Sequence, residues 1–190
     1  MKVTPTKLPE VLLVEPDVFG DSRGFFCETW SRRRYAEHGI DVDFVQDNVS
    51  RSQYGVLRGM HLQHPHGQGK LVTVLVGEVF DVAIDVRPDS PRFGQWVGMT
   101  LSAENHRQLY IPPGFAHGFC VTGEEALFSY KCTDFYSRQD ELGVRWDDPQ
   151  VGIAWPIRDP QLSDKDKAYP TLAEIPPAAL PPYAAARDAR

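Results

Sequence analysis

The chain of 190 residues has three cysteines, Cys27, Cys120 and Cys132. An odd count without C-x-x-C spacing excludes a disulfide framework and a structural zinc site, and reduced thiols are the simpler reading. Long apolar runs are also missing: none approaches the roughly 20 residues needed to span a bilayer, and Met1-Lys2-Val3-Thr4-Pro5 lacks the apolar core of a signal peptide. The expectation is a cytoplasmic protein with no membrane partner. Positive charge is scarce, with 20 Lys and Arg against 26 Asp and Glu and a formal net charge of -6. That balance argues against nucleic acid as a partner, so an anionic ligand has to be held by a local cluster of cations.

What is present is ordinary globular material, 42% hydrophobic and 24% charged, enough for one core. Residues 71–87 read as two β-branched runs around Gly77-Glu78, with Phe80, Val82, Ile84 and Val86 alternating, and predict a pair of strands joined by a tight turn. Further short strands are predicted over 96–101, 108–111, 119–121 and 126–133, separated by Pro88-Asp89-Ser90-Pro91, Pro112-Pro113-Gly114 and Thr122-Gly123. This spacing predicts an antiparallel sandwich or barrel. In the first half only residues 31–38 read as a helix, with Ser31 as N-cap and Gly39 as stop. The Pro/Ala-rich tail, 175–190, is expected to wrap the surface or to lack order, leaving 1–174 as a single folded domain.

Two polar segments carry the chemistry. Pro112-Pro-Gly114-Phe-Ala-His117 matches the Pro-x-Gly-x-x-His turn and strand of cupins, and Arg58-Gly-Met-His61-Leu-Gln-His64-Pro-His66-Gly-Gln-Gly-Lys70 stands where metal cupins carry His-x-His followed by Glu. Lys70 occupies the place of that Glu. An ammonium beside a divalent cation repels it, so the pattern argues against a metal, and His64 and His66 read as exposed loop residues. His61 and His117 sit at the edges of apolar strands, where a histidine can be a core residue satisfied by hydrogen bonds. Arg58 and Lys70 tip the balance, because two fixed cations near one cavity suit an anionic ligand better than a core.

These segments belong to a longer ordered series: Gly20-Asp-Ser-Arg23-Gly-Phe-Phe-Cys-Glu28, Gln46-Asp-Asn48, Gly55-Val-Leu-Arg58-Gly-Met-His61, Gln68-Gly-Lys70, Ile111 to Phe119, Tyr130-Lys-Cys-Thr-Asp-Phe-Tyr136 and Leu162-Ser-Asp-Lys165-Asp166. From Val11 to Asp166 the chain resembles the dTDP-4-dehydrorhamnose 3,5-epimerases. The resemblance implies a mainly β, cupin-type barrel or jelly roll with a few short helices, without cofactor or metal, acting on a dTDP-linked 4-keto sugar. It implies His61 as catalytic base, Asp166 as its carboxylate partner, Tyr130 as proton donor on the opposite face of the sugar, and Lys70 as the cation beside the enolate oxygen. It further implies Arg23 and Arg58 at the pyrophosphate, Tyr136 against the thymine, and Glu28, Gln46, Asn48, His117, Glu141 and Lys165 as substrate contacts. Relatives of this kind are homodimers in which one subunit lends its N-terminal segment, here with Arg23 and Glu28, to the neighbouring site. Most of them read Leu-His-Tyr or Leu-His-Phe where this chain has Met60-His61-Leu62.

The residues make chemical sense together. Removing a weakly acidic proton beside a ketone needs a base, charge at the developing enolate oxygen and a donor on the other face. By strand period alone Tyr130 is core, Arg23 a turn residue and Asp166 one charge in the solvated run Asp164-Lys165-Asp166-Lys167; only the resemblance gives them roles. Three alternatives stay open at this point. They are an epimerase of one carbon, C3 or C5, of a related sugar; a metal cupin using His61, His64, His66 and His117; and a silent sugar-binding module in the same fold.

Overall fold

The computed structural model describes residues 1–183, so the Ala-Arg end of the tail, 184–190, lies outside the described residues. The strands are β1 (Lys2–Pro5), β2 (Leu12–Glu15), β3 (Val18–Asp21), β4 (Gly24–Cys27), β5 (Gln46–Gln53), β6 (Leu57–Gln63), β7 (Lys70–Asp85), β8 (Trp96–Ser102), β9 (Gln108–Ile111), β10 (Phe115–Cys132) and β11 (Glu141–Gly143). Two short helices accompany them, α1 (Arg32–Ala36) and α2 (Asp164–Lys167). No helix of the described residues is long and apolar enough to cross a membrane.

The spine is the antiparallel pair β7–β10. The tight turn expected at Gly77-Glu78 does not exist: β7 runs through it, and so does β10 through Thr122-Gly123. Gly77 has φ +76°, and a Cβ there would lie 1.7 Å from the carbonyl oxygen of Glu125, so the glycine permits a bulge rather than a reversal. Val79 is opposite Val121 and Gly77 opposite Ala126, so Glu78 of β7 faces residues 122–125 of β10. Composition alone does not separate a bulge from a turn, because both want glycine and polar neighbours.

The bulge changes which side chains face inward. Val72 and Val74 of β7 are in the central core before it and Val79 and Ala83 after it; on β10, Phe128 and Ala126 give way to Val121, Phe119 and Phe115. Even positions become odd on both strands. The bend also divides the spine between two layers. One half carries β9, β2 and β1 on one side and β5 on the other, while the other half carries β8 on one side and β6 then β11 on the other. Phe119 and Phe128 stack between the layers with ring centroids 4.0 Å apart.

Outer faces are covered as well. Tyr35 of α1 is fully buried with Val14, Leu71 and Tyr110, its hydroxyl 2.7 Å from Gln108 Oε1. Phe80, Val82, Ile84 and Val86 pack under Leu172, Ile175 and Leu180. The start of the proline-rich tail is therefore built into a core: Ile175 is 8% and Leu180 3% exposed, with a 3-10 turn over Pro177–Ala179 between them. Proline prevents a long helix but not an extended chain that presents an occasional apolar side chain. In contrast, β3 and β4 pair only with each other, and Phe19, Phe25 and Phe26 on them are 65%, 64% and 68% exposed.

Leu180→Ala should cost about 2–5 kcal/mol, the usual range for emptying a buried leucine site. Urea unfolding measures it, and an unchanged midpoint would mean that the tail is not part of the core.

Candidate active site

Between the two layers lies a cavity of about 740 Å³. Arg58 and His61 both line it, although they are three residues apart on β6 and in a regular strand would face opposite sides. The register of β6 against β10 slips between them, from His61 opposite His117 to Arg58 opposite Phe119. Gly59 makes the slip possible: its φ is +134°, and a Cβ would lie 2.5 Å from the Cα of Gly118. A bulge beside the cavity thus aims both side chains into it.

His61 meets Asp166 at 2.6 Å, Nε2 to Oδ1. Asp166 is not part of a solvated charge run; it is 3% exposed. Its backbone N–H donates to Ser163 Oγ at the start of α2. The segment ahead of that helix is tied to the site by Leu57 N–H to Gln161 O at 2.9 Å and Gln161 N–H to Gly55 O at 2.8 Å. Burial pushes the Asp166 carboxyl up, but the hydrogen bond and charge of His61, with Ser163 and Lys165, outweigh it and leave the pKa below its ordinary value. Because Nε2 is held by the carboxylate, Nδ1 is the nitrogen left to act as a base.

Lys70 opens β7 and Tyr130 lies on β10; both line the cavity. Burial pushes the Lys70 ammonium below its ordinary pKa, with nearby negative charge at Cys132, Asp81 and Glu141 opposing the shift. The Tyr130 phenol is pushed up, chiefly by burial. His117 pairs with Asp81, Nε2 to Oδ2 at 2.9 Å, and both are buried. Burial lowers the imidazole and raises the carboxyl, each favouring its neutral form. Asp81 Oδ1 has no hydrogen-bond partner among the described residues.

At the mouth, Glu141 accepts from Tyr136 Oη at 3.0 Å and from Lys165 Nζ at 2.6 Å. Gln46 and Asn48 sit on β5 beside the rim rather than in the cavity lining; Gln46 Oε1 accepts the Tyr136 N–H at 2.9 Å, and Gln46 Nε2 donates to Asn48 Oδ1 at 3.0 Å. Arg58 donates to Ser52 Oγ at 3.0 Å.

The cavity therefore gathers His61, Lys70, Tyr130, Asp166, Arg58, His117, Tyr136, Glu141 and Lys165. Arg58, Lys70 and Lys165 form the local cluster of cations that an acidic protein needs to hold an anion. Arg23 and Glu28 are not brought in: Arg23 pairs with Asp21 at 2.5 Å on the β3–β4 hairpin, and Glu28 pairs with Arg34. His66 is exposed and bonds Asp140 at 2.7 Å, apart from the cavity lining. Sequence reasoning missed Asp81, whose signal was a lone carboxylate in the apolar run 79–84. It also missed Tyr169, whose ring centroid is 5.7 Å from that of His61 and which nothing in the sequence marks.

Comparison with known proteins identifies the family and the fold. The profile of the family described as dTDP-4-dehydrorhamnose 3,5-epimerase matches residues 5–174. A Shigella flexneri protein of that name is 57% identical over 168 residues, which is 87% of this chain and 93% of that protein. A Legionella pneumophila crystal structure, of a dTDP-6-deoxy-D-glucose-3,5-epimerase in complex with dTDP-4-keto-L-rhamnose, is 53% identical with a TM-score of 0.94, covering 97% of this chain and 99% of that one. A 3'-monoepimerase from Streptomyces bikiniensis, in complex with dTDP-quinovose, is 35% identical with a TM-score of 0.84, covering 89% and 87%.

The depressed Lys70 pKa has a sign for stability. An amine that holds its proton less tightly in the folded than in the unfolded chain destabilises the fold at neutral pH, and the cost fades as pH rises toward the unfolded value near 10.4. Lys70→Met should therefore raise the urea midpoint at pH 7, and its advantage over the native protein should shrink as pH rises toward about 10.4 and be lost above it. A lower midpoint for the methionine variant would contradict the assignment.

Proposed function

Because the chain belongs to the dTDP-4-dehydrorhamnose 3,5-epimerase family, we infer that it is an isomerase that inverts C3 and C5 of dTDP-4-keto-6-deoxyglucose to give dTDP-4-keto-L-rhamnose, a step of dTDP-rhamnose biosynthesis. The observation that carries its mechanism is the 2.6 Å His61–Asp166 pair in one cavity with Lys70 and Tyr130. His61 Nδ1 takes the proton from the carbon next to the C4 ketone while Nε2–H stays on Asp166, which stabilises the imidazolium. The electron pair of the broken C–H bond moves to the ketone oxygen, where the Lys70 ammonium offsets the enolate charge. Tyr130 returns a proton to the same carbon from the opposite face, and exchange with solvent then resets both groups. Its raised pKa keeps the phenol protonated until the enolate demands the proton. The sequence repeats at the second carbon, since C3 and C5 both adjoin C4.

Arg58 holds the pyrophosphate and Tyr136 stacks on the thymine, with Gln46, Asn48, His117, Glu141 and Lys165 as further contacts. The reaction needs no metal, because Lys70 already supplies positive charge at the oxygen. Free cysteines suit a cytoplasmic enzyme.

The enzyme works as a homodimer in which the β3–β4 hairpin reaches the partner's cavity. One general argument and two observations support this. A lone two-stranded hairpin is marginal in water, its phenylalanines are exposed, and it carries Arg23, with Glu28 next after it, the two substrate contacts that the chain's own cavity lacks.

In heavy water the purified protein should exchange both the C3 and the C5 proton of dTDP-4-keto-6-deoxyglucose, followed by NMR. Exchange at one carbon alone would establish the monoepimerase alternative, and at neither would end the reading. His61→Asn should lower turnover by about 10²–10⁴ while leaving dTDP binding intact. For the dimer, Arg23→Ala and His61→Asn proteins, each inactive alone, should regain activity in about a quarter of the sites after subunits exchange at random. No recovery in dimers shown to have mixed would place Arg23 in its own subunit's site.

A further inference from the structure

The reaction scheme above leaves Tyr169 without a role, although it packs beside the proposed base. Its ring stands at 69° to the imidazole plane of His61 with centroids 5.7 Å apart. The space it occupies exists because of Gly143, which lies directly opposite His61 in the β6–β11 ladder. A Cβ at 143 would be 2.4 Å from Cε1, Cε2 and Cζ of Tyr169, so the hydroxyl end of the ring lies flat on bare backbone and any other residue there would evict it. Tyr169 is not among the residues that line the cavity.

Its hydroxyl is odd for a packing residue. It is buried without a well-formed hydrogen bond among the described residues, and Lys165 is the one side chain close enough to act on it as a donor. Burial above all, then the charge of Glu141, pushes it up to about 12. A desolvated hydroxyl with so poor a partner adds little to a fold, so the hydroxyl is a weak reason for a tyrosine here. The flat ring beside His61 is a stronger one. An imidazole held by one hydrogen bond can still rotate about that bond and admit water to it, and a rigid aromatic wall prevents both.

We propose that Tyr169, seated on Gly143, is a positioning residue for His61: its ring fixes the imidazole plane and keeps water from the Nε2–Asp166 bond, so that Nε2 keeps its proton and Nδ1 presents the lone pair. The proposal rests on His61 being the base. The work is done by the ring and not by the hydroxyl.

Two measurements test it on the full-length protein. Long-range ¹H–¹⁵N spectra of the unliganded enzyme, with His61 assigned through His61→Asn, report the tautomer; steady-state kinetics report kcat and KM. The native protein and Tyr169→Phe should show the Nε2–H form and kcat values within about threefold of each other. Tyr169→Leu and Gly143→Ala should mix the tautomers and lower kcat about tenfold or more with KM little changed, the pattern of lost positioning. Gly143→Ala retains the tyrosine and every core side chain, so it decides the matter if the leucine variant does not fold. Native tautomer and native kcat in Gly143→Ala would overturn the proposal, as would a loss in Tyr169→Phe as large as in Tyr169→Leu. If the native enzyme turned over no 4-keto sugar, the epimerase reading would fail, and the tautomer spectra would still decide whether Tyr169 positions His61.

Discussion

A carboxylate almost out of water must have a partner, and for Asp166 that partner is His61. Burial alone would neutralise the acid; the imidazole 2.6 Å away keeps it charged and in return is held in one tautomer. The rest of the site is arranged around this bond. Backbone hydrogen bonds between Gln161 and the start of β6 bring α2 to the cavity, Ser163 fixes its first turn, and Lys165 and Glu141 close the mouth beside it. Removing the carboxylate would leave that short helix with little reason to sit where it does, for four residues cannot hold a helix by propensity.

The second requirement is that strands from both layers point polar groups at one spot. A regular pleat cannot do this in a small barrel, because alternation carries the same register of side chains along the whole strand. Here irregularities solve the problem. The bulge at Gly77 lets Lys70 from an even position of β7 line the cavity and Asp81 from an odd one reach His117 behind it, and the slip at Gly59 aims both Arg58 and His61 into the cavity. The polar groups of the cavity are therefore set by interruptions in pairing, with Phe119, Phe128 and their apolar neighbours packed around them.

This division explains what the residues revealed by inspection. The strands over 96–101 and 108–111, the sandwich class and the helix at Ser31 followed from alternation and turn residues, which are local signals. The bulges were hidden because Gly77-Glu78 and Thr122-Gly123 have the composition of turns, and only the partner strand decides between the two. Asp166 was opaque for a related reason: Asp164-Lys165-Asp166-Lys167 reads as a solvated run, and its burial depends on β6, about a hundred residues earlier in the chain. Ile175 and Leu180 looked like parts of a loose tail because prolines flank them, yet isolated apolar residues in an extended segment suffice to cap an exposed layer. Only the ordered motif series gave Tyr130 and Asp166 the roles proposed for them, which pattern could not.

Charge inside the cavity follows from the same economy of space. The site holds Lys70 and Arg58 with the buried pair Asp81–His117, whose carboxyl and imidazole are each pushed toward the neutral form by burial. With that pair pushed toward neutrality, Lys70 and Arg58 are the cations that line this part of the cavity, and burial weakens the hold of Lys70 on its proton against the opposing charge of Cys132, Asp81 and Glu141. In the proposed reaction the ketone oxygen meets a desolvated cation, and such a cation responds strongly to negative charge appearing beside it. The instability of a desolvated ammonium is thus relieved in the state in which the enolate forms, which is the condition for a group to favour a transition state over a ground state.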